Sequence, residues 1–255
     1  MELTDASLWM RDDQWERIKD FLPGREGHVG GTAANNRLFV EAVLYRYRTG
    51  IPWRDLPERF GDWKNTHKRF RRWCESGVFA RIFKTLAEDR DNEYMMIDAT
   101  IVRAHQHSAG ARKKTAACQA IGRSRGGLTT KIHVIVDALG NSVAMSLTPG
   151  QASDLAQAEP LLDEVEPDAL LADKAYDANA LIDTLEQRGI TPVIPPKANR
   201  TVQRHTDFAL YRERNLVERF FGKLKAFRAI ATRYDKLAST FLAAIQLVSA
   251  LFWLN

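Results

Sequence analysis

Near residue 91 the hydrophobic period of this chain changes, and that change restricts the fold more than any other feature. Upstream, apolar residues recur every three or four positions, the spacing of one helical face. Trp15, Ile18 and Leu22 mark a first stripe that stops at Pro23–Gly24. After glycines at 27, 30 and 31, Thr32 is placed to cap a helix carrying Leu38, Val40, Val43, Leu44 and Tyr47, ended by Gly50. IPWRDLPERFG, bounded by Pro52 and Gly61, is a short connector; DWKNTHKRFRRWCESG is a further helix closed by Gly77, and VFARIFKTLAEDR another. Two helices joined by a proline-bearing element, the last strongly basic, predict a helix-turn-helix within an all-helical domain 1–91. Lys64, His67, Lys68, Arg69, Arg71 and Arg72 crowd the basic helix, with Phe70 and Trp73 interleaved. That pattern suits a DNA-contacting face, and it equally suits a solvated basic face over an aromatic core stripe.

Downstream, in 92–255, the period shortens. EYMMIDAT is a brief apolar run ending in Asp98, and TTKIHVIVD alternates as a strand does, with Ile132, Val134 and Val136 on one side. ALGN turns the chain into SVAMSLTPG, which predicts a hairpin. Ser153 is placed to cap a helix through Leu155, Leu161, Leu162 and Val165; ALLAD, ALIDTLEQRG and TPVIPP then read as strand, helix and strand. A β-meander followed by alternating helices and strands predicts an α+β or α/β domain with a mixed sheet covered by helices. The stretch 100–127 lacks periodicity and reads as a long basic loop holding Arg103, His105, His107, Arg112, Lys113, Lys114, Arg123 and Arg125.

The net charge of +5 permits contact with a polyanion without requiring it. Two cysteines, Cys74 and Cys118, supply neither a disulfide framework nor a cysteine zinc site, and suit a reducing cytoplasm. The charged start, MELTDASLWMRDD, does not read as a signal peptide. The apolar run from Phe241 to Leu254 is too short to span a bilayer and reads as a buried helix, so no membrane contact is expected.

Three carboxylates carry the candidate chemistry. Asp98 and Asp173 stand at the C-terminal ends of two expected strands, where sites collect in α/β sheets, although an aspartate there is often a mere turn or cap. Glu218 lies in YRERNLVERFFGKLK. On a continuous helix Tyr211, Arg214, Glu218 and Lys225 fall within an arc of roughly 60°, opposite Leu216, Val217, Phe220, Leu224 and Phe227. That stripe suits a functional site, and it equally suits an exposed i,i+4 pair of Arg214 and Glu218.

The spacing Y-x2-R-x3-E-x6-K, filled by Tyr211, Arg214, Glu218 and Lys225, resembles the signature around the catalytic glutamate of bacterial DDE transposases of the insertion-sequence-four and insertion-sequence-five groups. MIDATIVRAHQHSAGARKK, GRSRGGLTTKIHVIVDALGN, LLADKAYD, VIPPKANR and ATRYDKLA are similar to the insertion-sequence-five family, and PWRDLPERFGDWKNTHKRFRRW resembles its DNA-binding region. The resemblance runs from about residue 12 to the last residue. It implies a ribonuclease H-like catalytic domain behind a helical DNA-binding domain, with Asp98, Asp173 and Glu218 as catalytic triad and metal ligands. Hard carboxylate oxygens select Mg²⁺ or Mn²⁺. Two such ions roughly 4 Å apart can activate water, then a DNA 3′-OH, against a phosphodiester.

The implied partners are the element's inverted repeats and target DNA, met by a homodimer assembled on DNA in the bacterial cytoplasm at the nucleoid. Tyr211, Arg214, Lys225, Arg103, His105 and His107, with Lys64, Lys68, Arg69, Arg71 and Arg72, are the candidate DNA contacts. His105 and His107, spaced i,i+2 without obvious partners, do not read as zinc ligands. Asp137 and Asp177 read as turn and cap residues. One departure from the family pattern is Ala175, where glycine is expected. A metal-dependent nuclease without strand transfer and an inactive DNA-binding regulator are the rival readings.

Overall fold

The computed structural model describes residues 10–24, 35–109 and 119–255. The expected cap Thr32, the basic tract Arg112–Lys114 and Cys118 lie outside them.

The N-terminal part is helical. Helix α1 (Asp12–Ile18) runs into a 3-10 turn, and α2 (Asn36–Thr49) is capped by Asn35, whose side chain accepts the Leu38 N–H at 2.8 Å. Gly50 ends α2 in the left-handed conformation, φ 78°. Two 3-10 turns, Trp53–Asp55 and Glu58–Phe60, lead to α3 (Trp63–Glu75), whose first turn is capped by Asp62; α4 (Val78–Leu86) follows through Gly77. The connection from 50 to 62 is longer than the three- or four-residue turn of a helix-turn-helix.

The sheet begins with β1 (Met95–Ala104), continues through β2 (Gly122–Ser124), β3 (Gly127–Val136) and β4 (Ser142–Pro149), and then alternates with helices. A 3-10 turn and α5 (Ala158–Leu162) precede β5 (Ala169–Leu171); α6 (Asn179–Gln187) precedes β6 (Thr191–Val193). Next come α7 (Phe208–Tyr211), α8 (Asn215–Lys225), α9 (Arg228–Ala231), a two-residue strand β7 (Thr232–Arg233) and α10 (Ala238–Trp253). The hydrogen-bonded order is β2-β3-β1-β5-β6, with β4 beside β3 and β7 beside β1. β1, β3 and β4 are antiparallel, whereas β5, β6 and β7 join in parallel. This mixed sheet with covering helices fits the ribonuclease H-like expectation.

Three expectations are corrected. β1 runs well past Asp98, because Val102 and Ala104 alternate inward against exposed Ile101 and Arg103. Asp98 is therefore mid-strand rather than at a strand end, and the supposed loop from 100 loses Thr100–Ala104 to β1 and Gly122–Ser124 to β2. The segment entering α5 is a 3-10 turn with Asp154, not Ser153, at its cap position and no side-chain capping bond.

One apolar core joins both parts of the chain. Phe79, Ile82, Phe83 and Leu86 of α4 are buried in the same cluster as Phe241, Ile245 and Val248 of α10 and Ile132 and Val134 of β3. Each such side chain contributes about 1.5–3 kcal/mol when fully buried. Trp253 fixes the far end of α10, donating its indole N–H to the Ser142 carbonyl at 2.8 Å.

Candidate active site

Two strands pair with the same edge of β1 at its opposite ends, and the site lies between them. β5 pairs at Met95 and Met96, β7 at Arg103 and Ala104, while β3 fills the other edge. Between Ile97 and Val102 that edge is open, and Asp98 is in the opening. Its own strand's Ala99 N–H, without a ladder partner there, donates to Asp98 Oδ1 at 2.7 Å.

Asp173 follows β5 and caps the 3-10 turn Lys174–Tyr176, accepting the Ala175 N–H at 2.8 Å. Ala120 is the one described non-glycine residue with positive φ, so Ala175 needs no glycine's freedom and the departure from the family pattern is harmless. Burial lifts the Asp98 carboxyl above its ordinary range; the Ala99 N–H and Arg214 oppose this, while the charge of nearby Asp173 adds to it.

Glu218 arrives on α8, whose opposite face buries Val217, Phe220, Phe221 and Leu224. The segment is not one continuous helix: a 3-10 turn, Arg212–Arg214, separates α7 from α8. The tighter turn does not scatter the polar stripe. Arg214 donates from Nη2 to Glu218 Oε1 at 2.7 Å and from Nη1 to Asp98 Oδ2 at 2.9 Å. The i,i+4 pair expected from sequence exists, and it is also one arm of a fork reaching a strand 116 residues away. Tyr211 is half-buried with its ring centroid 5.9 Å from the Arg214 guanidinium carbon. Lys225 is exposed at the end of α8, about 10 Å along the axis from Glu218.

Among the described residues no group of three or more His, Cys, Asp or Glu stands close enough to hold an ion as it is. Arg214 forms the ion pairs to both Asp98 and Glu218. Asp98 and Asp173, close enough to repel, and Glu218, tied to Asp98 through Arg214, are hard oxygen donors of the kind that suits a divalent cation.

Sequence reasoning missed the polar layer beside these acids. Tyr176 is 1% exposed, its hydroxyl makes no hydrogen bond, and the phenol is pushed up by burial and by the charges of Asp154, Asp98 and Asp173. Asp154 also faces Lys131 at 2.8 Å and the fully buried His133 at 3.8 Å. The signal was in TTKIHVIVD, where Lys131 and His133 occupy a strand buried on both faces.

The other candidates divide. Lys64, Lys68, Arg71 and Arg72 are exposed on α3, the last three lining a cavity of about 720 Å³ with Asn65. Arg69 is committed inward, stacked on Phe39 and Trp73 at 4.3 and 4.7 Å and bonded to Asn36. Arg103 is exposed on β1; His105 stacks on Tyr234 at 4.7 Å, with His107 against it. Asp137 is a turn residue, as expected, accepting the Leu139 and Asn141 N–H groups. Asp177 is more than a cap: it joins Arg204 at 2.6 Å, Arg200 and the Lys197 N–H.

Residues 90–253 match the profile of the transposase DDE domain, and residues 10–83 match that of candidate transposases of the IS4/5 family. A candidate transposase for insertion sequence element IS6501 from Brucella ovis is 36% identical over 130 residues, half of this chain and all of that protein. The protein y4sN of Sinorhizobium fredii is 53% identical over 104 residues, 41% of this chain and 83% of that one. Among solved structures, a piggyBac transposase synaptic complex with hairpin DNA is similar at 15% identity and TM-score 0.39, over 76% of this chain and 50% of that one. The DDE profile spans well over half of the chain, including all three carboxylates, and the chain belongs to the DDE transposases of bacterial insertion sequences.

Proposed function

We propose that this transposase binds the terminal inverted repeats of its own element, hydrolyses the DNA at the element ends and transfers the freed 3′-OH ends to target DNA. The observation that carries this reading is the Arg214 fork, which joins Asp98 to Glu218 beside Asp173. Asp98, Asp173 and Glu218 would hold divalent Mg²⁺ or Mn²⁺, two ions per site, which would activate the attacking oxygen and stabilise the leaving one. Released from the carboxylates, Arg214 presents a planar donor fork suited to two phosphate oxygens. Tyr211 and Lys225 flank it along the DNA backbone. The exposed cations of α3 suit recognition of the end duplex within a helical part, residues 1–91, that serves the catalytic part 92–255. Two ends must be processed together, which calls for a homodimer on DNA.

The test is a strand-transfer assay with labelled element ends and Mg²⁺, comparing wild type with Glu218→Ala. Joining by wild type and binding without joining by the variant supports the proposal. Cleavage without joining by the wild type would make the protein a nuclease, and binding without any metal-dependent product would make it a regulator.

A further inference from the structure

A second cleft lies where the 50–62 connection meets the residues after β7. Its volume is about 900 Å³, within the range of small-ligand sites. Aromatic side chains are among its lining: Trp53 from the connection, Trp63 from α3, and Tyr234 and His107. Tyr234 is 41% exposed, although one face of its ring rests on His105.

A buried polar group in this lining is Arg46, on α2. It is 4% exposed; its guanidinium lies over the Tyr47 and Trp53 rings at 4.5 and 5.2 Å, and its Nε and Nη1 are buried without a hydrogen-bond acceptor. The nearest anion, Asp235, is 3.7 Å away and already accepts the Tyr47 hydroxyl at 2.9 Å. A buried guanidinium with unused donors is costly, and it lines a cleft that an acceptor can enter. Arg54 and Lys236 are exposed at the rim, with Arg71 paired to Glu75 at 3.0 Å, against the carboxylates Asp55 and Asp235 in the same lining.

Aromatic side chains, an unsatisfied buried arginine and exposed cations at the rim together describe the needs of one kind of ligand. A paired duplex keeps its base faces in its own stack and offers only phosphates and groove edges. An unpaired nucleotide offers a π-face, carbonyl and ring-nitrogen acceptors, and a phosphate. From the Trp53, Tyr234 and Arg46 geometry we infer that this cleft binds a single unpaired nucleotide of a DNA strand. The base stacks on the aromatic side chains, its acceptors meet Arg46, and its phosphates lie at the rim. The inference rests on the DNA-processing reading above.

The cleft is separate from the carboxylates. Tyr234 directly follows β7, which pairs with β1 at Ala104, six residues along the strand from Asp98, or about 20 Å. A strand engaging both places would span roughly six stacked nucleotides.

The test measures affinity for a short single-stranded oligonucleotide and for the same sequence as a duplex, with intrinsic tryptophan fluorescence as a second readout. The proteins are wild type, Tyr234→Ala, Tyr234→Phe and Lys236→Ala, each checked for folding by its thermal melt. The expected result is roughly 5- to 100-fold weaker single-strand binding for Tyr234→Ala, restored by Tyr234→Phe, with duplex binding unchanged. Binding should also quench the wild-type tryptophan emission. Equal single-strand affinity for all four proteins, or no quenching, overturns the inference. So does a Tyr234-dependent affinity for an acidic peptide with none for the oligonucleotide, which would make the cleft a protein-docking surface. The two readings separate cleanly. Strand transfer without single-strand binding removes the nucleotide cleft alone, while Tyr234-dependent single-strand binding without Mg²⁺-dependent joining removes the strand-transfer reading alone.

Discussion

Acid should destabilise this protein through His133. The side chain is fully buried on β3, its Nε2 2.7 Å from the Thr148 hydroxyl and its Nδ1 without a hydrogen bond. Burial holds the imidazole pKa down to about 4; Asp154 pulls it back up, and Lys131 lowers it further. The unfolded chain takes up a proton at this residue near pH 6.5, and the folded chain does so only near 4. Between those values the unfolded state binds more protons, so stability rises with pH across the window and is lost as pH falls through it. At 1.36 kcal/mol per unit, the displacement from 6.5 to about 4 corresponds to about 3 kcal/mol. For a chain of this size that is a loss in Tm of roughly 6–12 °C. Thermal unfolding from about pH 7 to about pH 4 should therefore show a steeper decline for wild type than for His133→Gln, whose amide can still reach Thr148 but takes up no proton. Taking the difference between the two proteins cancels the titration of carboxylates common to both. Parallel curves would mean that His133 is hydrated or paired with Asp154 in the folded protein, and the argument from burial would be wrong.

Gly50→Ala should cost about 1–3 kcal/mol in chemical denaturation, because the residue holds φ 78° and an added Cβ would meet Arg228 Cβ at 2.9 Å. Asp177→Ala should cost about 1–3 kcal/mol, since it removes the buried carboxylate shared by the half-buried Arg200 and Arg204. Arg214→Lys keeps the charge but not the fork, so it should bind element ends and join them at least tenfold more slowly. Wild-type rates in that variant would show that the bridge to Asp98 and Glu218 is incidental.

What could be read from the sequence was whatever repeats locally. The faces of α3, α4, α8 and α10, the β3–β4 hairpin and the alternation after it follow from apolar spacing, because a side chain's face is set by the turn it belongs to. Glu218 and Arg214 were legible as neighbours for the same reason. The second half of β1 was not: Arg103 and exposed Ile101 mask the alternation, and the strand is completed by pairing with β3 and with the two residues of β7. Nor could periodicity show that Arg214 reaches Asp98, since no local rule relates positions 116 apart. Asn35, the cap of α2, was not legible either, because Ser, Thr, Asn and Asp share capping chemistry and only the backbone decides which side chain meets the Leu38 N–H. Arg69 looked like its basic neighbours until its ring partners, Phe39 and Trp73, came into contact across helices.

The shared core also has a consequence during synthesis. α4 ends at Leu86, and the helix that covers it starts at Ala238. At roughly 5–20 residues per second, a ribosome needs on the order of 10 s to make the intervening chain. For that interval Phe79, Ile82, Phe83 and Leu86 have no native partner on α10. Phe79 can already pack on Phe70 and Trp73 of α3 during that interval, but the rest of the stripe must wait for the last helix, so the nascent chain carries an apolar face that only the end of synthesis covers.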